Sequence, residues 1–283
     1  HRTTGGSPLI VLVHPWESGL DHSPRWDFAT RAGYRPSRPY RRVDTTLVEA
    51  TLRPTERDYD LYMYLVELLA AGRYELEPFF SRSPFAVYDA LFNAVWYRAA
   101  LDLNRIAAAL GRAPAVDEAA LRAFRDAYHE TLWHEPAQLF RDFDLRAGRR
   151  IPVDTVAGLI AIYGGLVDRA QAAAMFSRYR ERSAGCRLLP SVPPDEEAFD
   201  AERYWRGPVW VNINWLVTRG LEALGLDREA AVLAETTLDL VRRAGWCEYF
   251  HAQTGEGLGG ADFSWTAALV LDLLRRPVSQ RSA

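Results

Sequence analysis

Three segments of the chain place aromatic side chains beside carboxylates, arginine or asparagine, and glycine: HPWESGLDHSPRWD (14–27), YWRGPVWVNINW (204–215) and EYFHAQTGEGLGGADFSW (248–265). Tryptophan and tyrosine rings stack on the C–H faces of sugars, while carboxylate, amide and guanidinium groups hydrogen-bond to sugar hydroxyls. Glycoside hydrolysis needs two carboxyl groups, one as the acid and one as the base or nucleophile. The segments therefore indicate a carbohydrate site, although their spacing alone does not select the catalytic pair.

Each of these features also has a purely structural interpretation. Aromatic residues on helices are most often part of the core, and carboxylates in loops are usually solvated or cap a helix. Ser23 followed by Pro24 is a typical helix start, so the position of Asp21, taken alone, favours a structural role over a functional one. The combination of three such segments favours the functional interpretation.

Motifs that suggest other chemistry lack the features that this chemistry requires. His129 and His134 of HETLWH are five residues apart, whereas the zinc-binding helix needs four. GEGLGG (255–260) lacks the buried strand before it and the lysine after it that a phosphate-binding loop has, and is predicted to be a plain loop. Cys247 has no basic neighbour in sequence and is predicted to pack. We therefore predict no metal and no cofactor.

Composition limits the class of protein. The chain has 283 residues, 48% of them hydrophobic and 25% charged, and a net charge of -3 that provides no basic surface for nucleic acid. No apolar run reaches the roughly 20 residues that span a bilayer. With two cysteines and no recognisable signal segment, the chain is predicted to be a cytoplasmic protein whose partner is a small carbohydrate.

The segments with helical periodicity account for most of the remaining chain. They are 58–72, 84–110, 117–133, 153–164, 167–180, 208–225, 228–244 and 262–275. The only candidate for extended structure is LIVLV (9–13). Helices that alternate with long irregular segments predict an all-α toroid of helical hairpins, formed by residues 1–283 as a single catalytic domain.

Four segments together, the three above and RPTERDYDLYMYL (53–65), resemble the mannosylglycerate and glucosylglycerate hydrolases of glycoside hydrolase family 63. The resemblance runs in the same order from about residue 8 to residue 275. It implies the (α/α)6 toroid of the wider clan, which includes trehalases and glucoamylases. It also implies an inverting α-glycosidase.

By motif position, the resemblance assigns the general acid to Asp21 and the general base to Glu248. Asp21 must hold a proton near neutral pH, and burial beside Trp16 and Trp26 would raise its pKa in the required direction. Glu248 would activate a water on the opposite face of the sugar, which requires a carboxyl separation of roughly 6.5–9.5 Å.

The resemblance also implies substrate contacts, which fall on Trp16, Gly19, Arg53, Tyr59, Tyr204, Trp205 and Trp210. Arg53 and Tyr59 are the most diagnostic of these, because an arginine fork can hold the carboxylate of a glycerate aglycone. Arg206 is predicted to be structural.

The chain departs from the family in three places. His22 stands where relatives usually have asparagine, and His251 and Ala252 replace an expected Asp-Pro. Relatives also have an N-terminal portion with several barrel helices that nothing here matches, so the toroid is expected to be incomplete at the N-terminus. Two alternatives stay open: a neutral α-glucosidase or trehalase-like hydrolase, and an inactive sugar-binding remnant. The choice between glucose and mannose and the oligomeric state are open as well.

Overall fold

The computed structural model describes residues 3, 6–46 and 48–275 of the chain. These residues form ten α-helices, which confirms the all-α prediction. The helices are α1 Asp27–Thr30, α2 Glu56–Ala71, α3 Leu76–Arg82, α4 Ala90–Ala109, α5 Glu118–Leu132, α6 Ile160–Gly164, α7 Arg169–Arg182, α8 Val211–Ala223, α9 Asp227–Ala244 and α10 Ser264–Leu274.

Side-chain caps fix the starts of several long helices. The carboxylates of Asp89, Asp117 and Asp168 each accept a hydrogen bond from a backbone N–H in the first turn of α4, α5 and α7. The start of α2 is a complete capping box, in which Thr55 and Asp58 each accept a hydrogen bond from the other's backbone N–H.

The helices α4, α6, α8 and α10 pack side by side in that order, while α5, α7 and α9 connect consecutive members. Glycines permit the closest approaches. A Cβ on Gly220 of α8 would lie 2.6 Å from the backbone nitrogen of Tyr163, and one on Gly164 would lie 2.9 Å from the carbonyl oxygen of Ala94. The four helices therefore form one layer, and the loops that precede α8 and α10 meet where Val209 pairs with Phe250.

Within the same described residues, eight two-residue strands brace the loops: β1 Val11–Leu12, β2 Val87–Tyr88, β3 Trp133–His134, β4 Leu139–Phe140, β5 Phe143–Asp144, β6 Arg149–Arg150, β7 Tyr249–Phe250 and β8 Gly257–Leu258. The largest sheet is antiparallel with strand order β1-β2-β5-β6. Part of the apolar run at 9–13 is thus extended.

Two predicted helices start later than their periodicity indicates. The pattern at 84–110 becomes helical only at Ala90, because β2 pairs with β1 and β5 before Asp89 caps α4. The pattern at 153–164 begins with a 3-10 turn, Val156–Leu159, before α6.

A buried ion cluster joins the first loop to the sheet. Nη1 of Arg25 donates to Oδ2 of Asp89 (2.8 Å) and to Oδ2 of Asp142 (2.6 Å), and all three side chains are almost completely buried. The second oxygen of Asp142 accepts from the backbone N–H of Ala90 at 2.7 Å. Burial raises the pKa of Asp89 to about 6, against the opposing charge of Arg25.

Of the described helices, none combines the length and the apolar character that a membrane crossing requires.

Candidate active site

The predicted site residues are carried by loops that lead into helices. Asp21 lies between two 3-10 turns, Pro15–Ser18 and Pro24–Trp26. Arg53 lies just before α2, Tyr204 lies in a 3-10 turn before α8, and Glu248 lies between α9 and β7. The fold thus brings residues from both ends of the chain to one cluster of loops.

The first loop is ordered by its own polar groups, as its composition predicts. Nδ1 of His14 accepts from the backbone N–H of Trp16 (3.1 Å), and Nε2 therefore donates to the carbonyl oxygen of Tyr62 (3.0 Å). Burial lowers the pKa of His14 to about 4, so this ring is neutral near pH 7. Gly19 ends the first turn in the left-handed region, at φ 71°.

Asp21 lies in an environment that favours the protonated form of its carboxyl group. Burial raises its pKa to about 6, the charge of Arg53 opposes this shift, and the charge of Asp58 adds to it. The Tyr62 hydroxyl donates to the carbonyl oxygen of Asp21 at 2.6 Å and so fixes the backbone of the loop there. This is the environment that a general acid needs.

Glu248 is buried and held by hydrogen bonds on both oxygens. Oε1 accepts from Nη1 of Arg53 (3.1 Å), and Oε2 accepts from Nη2 of Arg53 (2.7 Å) and from the backbone N–H of Gly260 (3.0 Å). The sequence predicts a carboxylate of the aglycone at Arg53, whereas the structure shows the guanidinium bound to a carboxylate of the chain itself.

The glycine-rich segment 255–260, predicted as a plain loop, folds around Glu248. The backbone N–H of Glu248 donates to the carbonyl oxygen of Gly260 at 2.9 Å. A Cβ on Gly259 would lie 2.6 Å from Oε2 of Glu248 and 2.7 Å from Cε1 of Tyr249, and Gly259 has a φ of 74°. Only glycine fits such a position without displacing the carboxylate.

The predicted aromatic contacts fall into two groups. Trp16 is 45% exposed at the rim, and its ring lies 5.5 Å from that of Tyr62, centroid to centroid. Trp205 and Trp210 are each 2% exposed and stack on one another at 3.8 Å. The half-buried Tyr204 meets Trp210 edge-on at 5.3 Å. The two buried tryptophans therefore pack against Tyr204 and offer almost no accessible surface to a ligand.

Tyr204 lies in the field of both predicted catalytic carboxylates. Burial raises its pKa first, and the charges of Asp21 and Glu248 raise it further. Its φ of 39° is unusual for a residue other than glycine, and backbone strain of this kind is concentrated at functional sites. Tyr204 therefore lies close enough to both carboxyl groups to be affected by their charges.

Tyr59 belongs to a second cationic cluster. The guanidinium of Arg42 lies 4.2 Å from the centre of the Tyr59 ring and forks onto Asp44, at 3.1 and 2.7 Å. Burial and the hydrogen bond to Asp44 raise the pKa of Tyr59 to about 12. Sequence reasoning missed Arg42 because nothing in its local pattern marks it.

His22 is attached to the start of α2 rather than to the acid beside it. Its Nε2 lies 3.3 Å from Oδ2 of Asp58, which also accepts from the backbone N–H of Thr55 (2.7 Å). Burial lowers the pKa of His22. Burial opposes ionisation of Asp58, but the hydrogen bonds from His22 and Thr55 lower its pKa overall. The two loops that carry Asp21 and Arg53 are thus joined through one carboxylate.

Arg206 ties the third loop to the first. Its two terminal nitrogens each donate to one oxygen of Asp27 at 2.8 Å. This contact agrees with the structural role predicted for Arg206.

The two histidines of HETLWH are engaged elsewhere. Nε2 of His129 lies 2.7 Å from the carbonyl oxygen of Leu166, and His134 lies 3.4 Å from a terminal nitrogen of Arg141. Over the described ranges, no group of three or more metal-ligating side chains is close enough to hold an ion.

Comparison with known proteins identifies the family. The family model described as "Mannosylglycerate hydrolase MGH1-like glycoside hydrolase domain" matches residues 1–266. The chain belongs to this family of glycoside hydrolases. It is 39% identical over 283 residues to a mannosylglycerate hydrolase of Rubrobacter radiotolerans, with 96% of this chain and 64% of the relative covered. It is 34% identical over 279 residues to a glucosylglycerate hydrolase of Mycolicibacterium hassiacum, covering 94% of this chain and 62% of that relative.

Solved structures of the family agree with the fold. The GH63 mannosylglycerate hydrolase of Thermus thermophilus, in complex with Tris and D-glycerate, matches with a TM-score of 0.89 and 38% identity, over 95% of this chain and 65% of that one. The same enzyme in complex with glucose matches with a TM-score of 0.88. These matches confirm the predicted family and its α/α toroid architecture. The chain spans about two thirds or slightly less of the relatives it matches.

Proposed function

We propose that the protein is an inverting α-glycoside hydrolase that releases glucose or mannose from a small α-glycoside. The observation that carries the proposal is the pairing of a carboxyl group that retains its proton, Asp21, with a buried carboxylate, Glu248, on loops joined by Arg53 and Tyr204. Membership of the glycoside hydrolase family supports it. In this proposal, residues 1–283 act as a single catalytic domain.

In the proposed reaction, Asp21 donates its proton to the glycosidic oxygen as the bond from that oxygen to the anomeric carbon breaks. Glu248 takes a proton from a water molecule, whose oxygen bonds to the anomeric carbon from the opposite face. The configuration at this carbon inverts, and the products are the free sugar and the aglycone. Trp16 and Tyr204 provide aromatic surface for the sugar, with Trp205 and Trp210 behind Tyr204.

The substrate class that we propose is a glycerate glycoside. The relatives are named as mannosylglycerate and glucosylglycerate hydrolases, and both substrates carry one negative charge on the aglycone. The site contains two guanidinium groups, each paired with a carboxylate of the chain: Arg53 lies against the Tyr204 ring and pairs with Glu248, and Arg42 lies against the Tyr59 ring and pairs with Asp44. A planar guanidinium binds a carboxylate through two parallel hydrogen bonds.

Proton NMR of the anomeric region during digestion of mannosylglycerate and glucosylglycerate tests the proposal. We expect β-sugar to appear before mutarotation, and the relative rates to identify the sugar. Asp21→Asn and Glu248→Gln should each lose at least about a thousandfold in turnover while still binding the sugar. Unchanged turnover in both variants contradicts the assigned roles. Binding of sugar by the wild type without hydrolysis points instead to an inactive sugar-binding protein.

A neutral α-glucosidase or trehalase-like activity is a second candidate. It is favoured by the contact between Arg53 and Glu248, because a guanidinium that already holds a carboxylate is not free for one on the substrate. Arg53→Ala separates the two functions. It should cripple turnover of a glycerate glycoside if the guanidinium binds the aglycone carboxylate, whereas a neutral glucoside loses no contact of its own and is affected only through Glu248.

A further inference from the structure

The geometry points to Arg53 as a switch that responds to a carboxylate on the substrate. In the free protein Arg53 holds Glu248, and an anionic aglycone draws the guanidinium away and releases Glu248 to act as the base. This inference rests on the proposed function and deepens it, because it assigns the aglycone charge a part in the chemical step as well as in binding.

The contact in the free protein is unsuited to base catalysis. Three hydrogen bonds end on the two oxygens of Glu248, two from Arg53 and one from Gly260. The side chains of Arg53 and Glu248 are only 12% and 8% exposed. A proton that arrives on Glu248 would leave Arg53 facing a neutral group in a largely buried site, which is unfavourable. Glu248 becomes an effective base only when this fork is loosened.

Arg53 has the means to exchange one carboxylate for another. A guanidinium carries five N–H donors, and Glu248 uses only the two terminal nitrogens. Nε of Arg53 is buried and has no hydrogen-bond partner within the described structure. Each terminal nitrogen keeps a second N–H that Glu248 does not use, so a second carboxylate can bind there first, before the bonds to Glu248 break.

The ring of Tyr204 can stay in contact with Arg53 while the guanidinium moves from one carboxylate to the other. The guanidinium of Arg53 lies 4.9 Å from the centre of the Tyr204 ring, which gives a cation a favourable surface over a range of positions. Its charge also acts on Asp21. Arg53 can therefore keep its contact with Tyr204 while it exchanges one carboxylate for the other.

The switch affects one step of the reaction. Water must bond to the anomeric carbon, the leaving group must depart with the bonding electron pair, and Glu248 must take the proton that water loses. Only the last event requires Glu248 to be free of Arg53. A substrate without a carboxylate is therefore expected to suffer mainly in kcat, which separates this effect from simple loss of binding in KM.

Hydrolysis of α-mannosyl and α-glucosyl fluoride tests the switch. Fluoride is a small leaving group, so the aglycone space stays vacant and can be filled by an added molecule. We expect saturating D-glycerate to accelerate release of fluoride from the wild type by about tenfold or more. Glycerol, which lacks the carboxylate, should not. The variant Arg53→Gln should release fluoride faster than the wild type does without glycerate, and should not respond to glycerate.

Arg243→Gln is a suitable control, because Arg243 pairs with Asp239 on the surface of α9, and it should respond to glycerate as the wild type does. The switch is refuted if the wild type hydrolyses glycerate glycosides but its fluoride hydrolysis is insensitive to glycerate. It is also refuted if Arg53→Gln, folded by circular dichroism, is slower than the unactivated wild type. Failure of the wild type on glycosides and fluorides alike overturns the proposed function itself, and the switch with it.

Discussion

Replacing Gly259 with alanine should disable the site by displacing Glu248. The new Cβ would lie 2.6 Å from Oε2 of Glu248, 2.8 Å from its Cβ and 2.7 Å from Cε1 of Tyr249. Because the contacts include the root of the Glu248 side chain, a rotation of its carboxylate alone cannot relieve them. Restoring ordinary separations requires a movement of roughly 0.5–1 Å, and a misplacement of about 1 Å at a catalytic group costs about a hundredfold in rate.

The backbone adds a separate effect on stability. Gly259 has a φ of 74°, and a residue with a Cβ is destabilised there by about 1–2 kcal/mol. Gly225 between α8 and α9 has a φ of 69°, and an added Cβ there would meet no atom within 4 Å, so Gly225→Ala carries the same backbone cost without touching the site. We expect both variants to lower the melting temperature and only Gly259→Ala to lower kcat by about a hundredfold, measured on a glycerate glycoside. If Gly259→Ala keeps kcat within twofold of Gly225→Ala, the loop does not position Glu248.

Three further predictions concern other contacts. The pKa of Asp21, about 6, predicts that kcat/KM of the free enzyme falls about tenfold per pH unit above that value, as a pH–rate profile would show. The same pKa lies above the ordinary 3.8, so the folded chain loses stability as the pH rises between these values. Asp21→Asn should therefore be more stable than the wild type by up to about 3 kcal/mol at neutral pH, and the difference should vanish below about pH 3 in denaturant titrations. Arg25→Met leaves Asp89 and Asp142 buried without their cation and should cost about 3–5 kcal/mol in urea unfolding at neutral pH. Stability should partly recover at acidic pH, where Asp89 takes up a proton, and an equal loss at all pH values would contradict this expectation.

The sequence predicts most of the described helices because their periodicity and caps are local, but it misses the short helices α1 and α3, which have too few turns to show a period. The start of α5 at Glu118 follows directly from Asp117 and the apolar pattern after it. The start of α4 is different, since residues 84–89 have an equally helical pattern but are not helical, because β2 within them pairs with strands that are distant in sequence. Pairing of this kind overrides local preference and cannot be derived from it.

The site shows the same division. Its loops can be recognised in the sequence because they combine aromatic residues with carboxylates and lack a helical pattern of apolar residues. The identities of the partners are not visible: Arg53 and Glu248 are 195 residues apart, and nothing local predicts that one forks onto the other. The cradle of Gly259 around Glu248 is likewise hidden, because a glycine run is equally typical of an ordinary loop.

The two ion pairs that close the loop cluster have a consequence for the folding of the chain. The fork of Arg206 on Asp27 joins residues 179 positions apart, and that of Arg53 on Glu248 joins residues 195 positions apart. Contacts of such long range form late, because ordering the intervening chain must come first. Refolding intermediates that already have helical circular dichroism should therefore lack sugar affinity, and the return of ligand binding would mark the final step of folding.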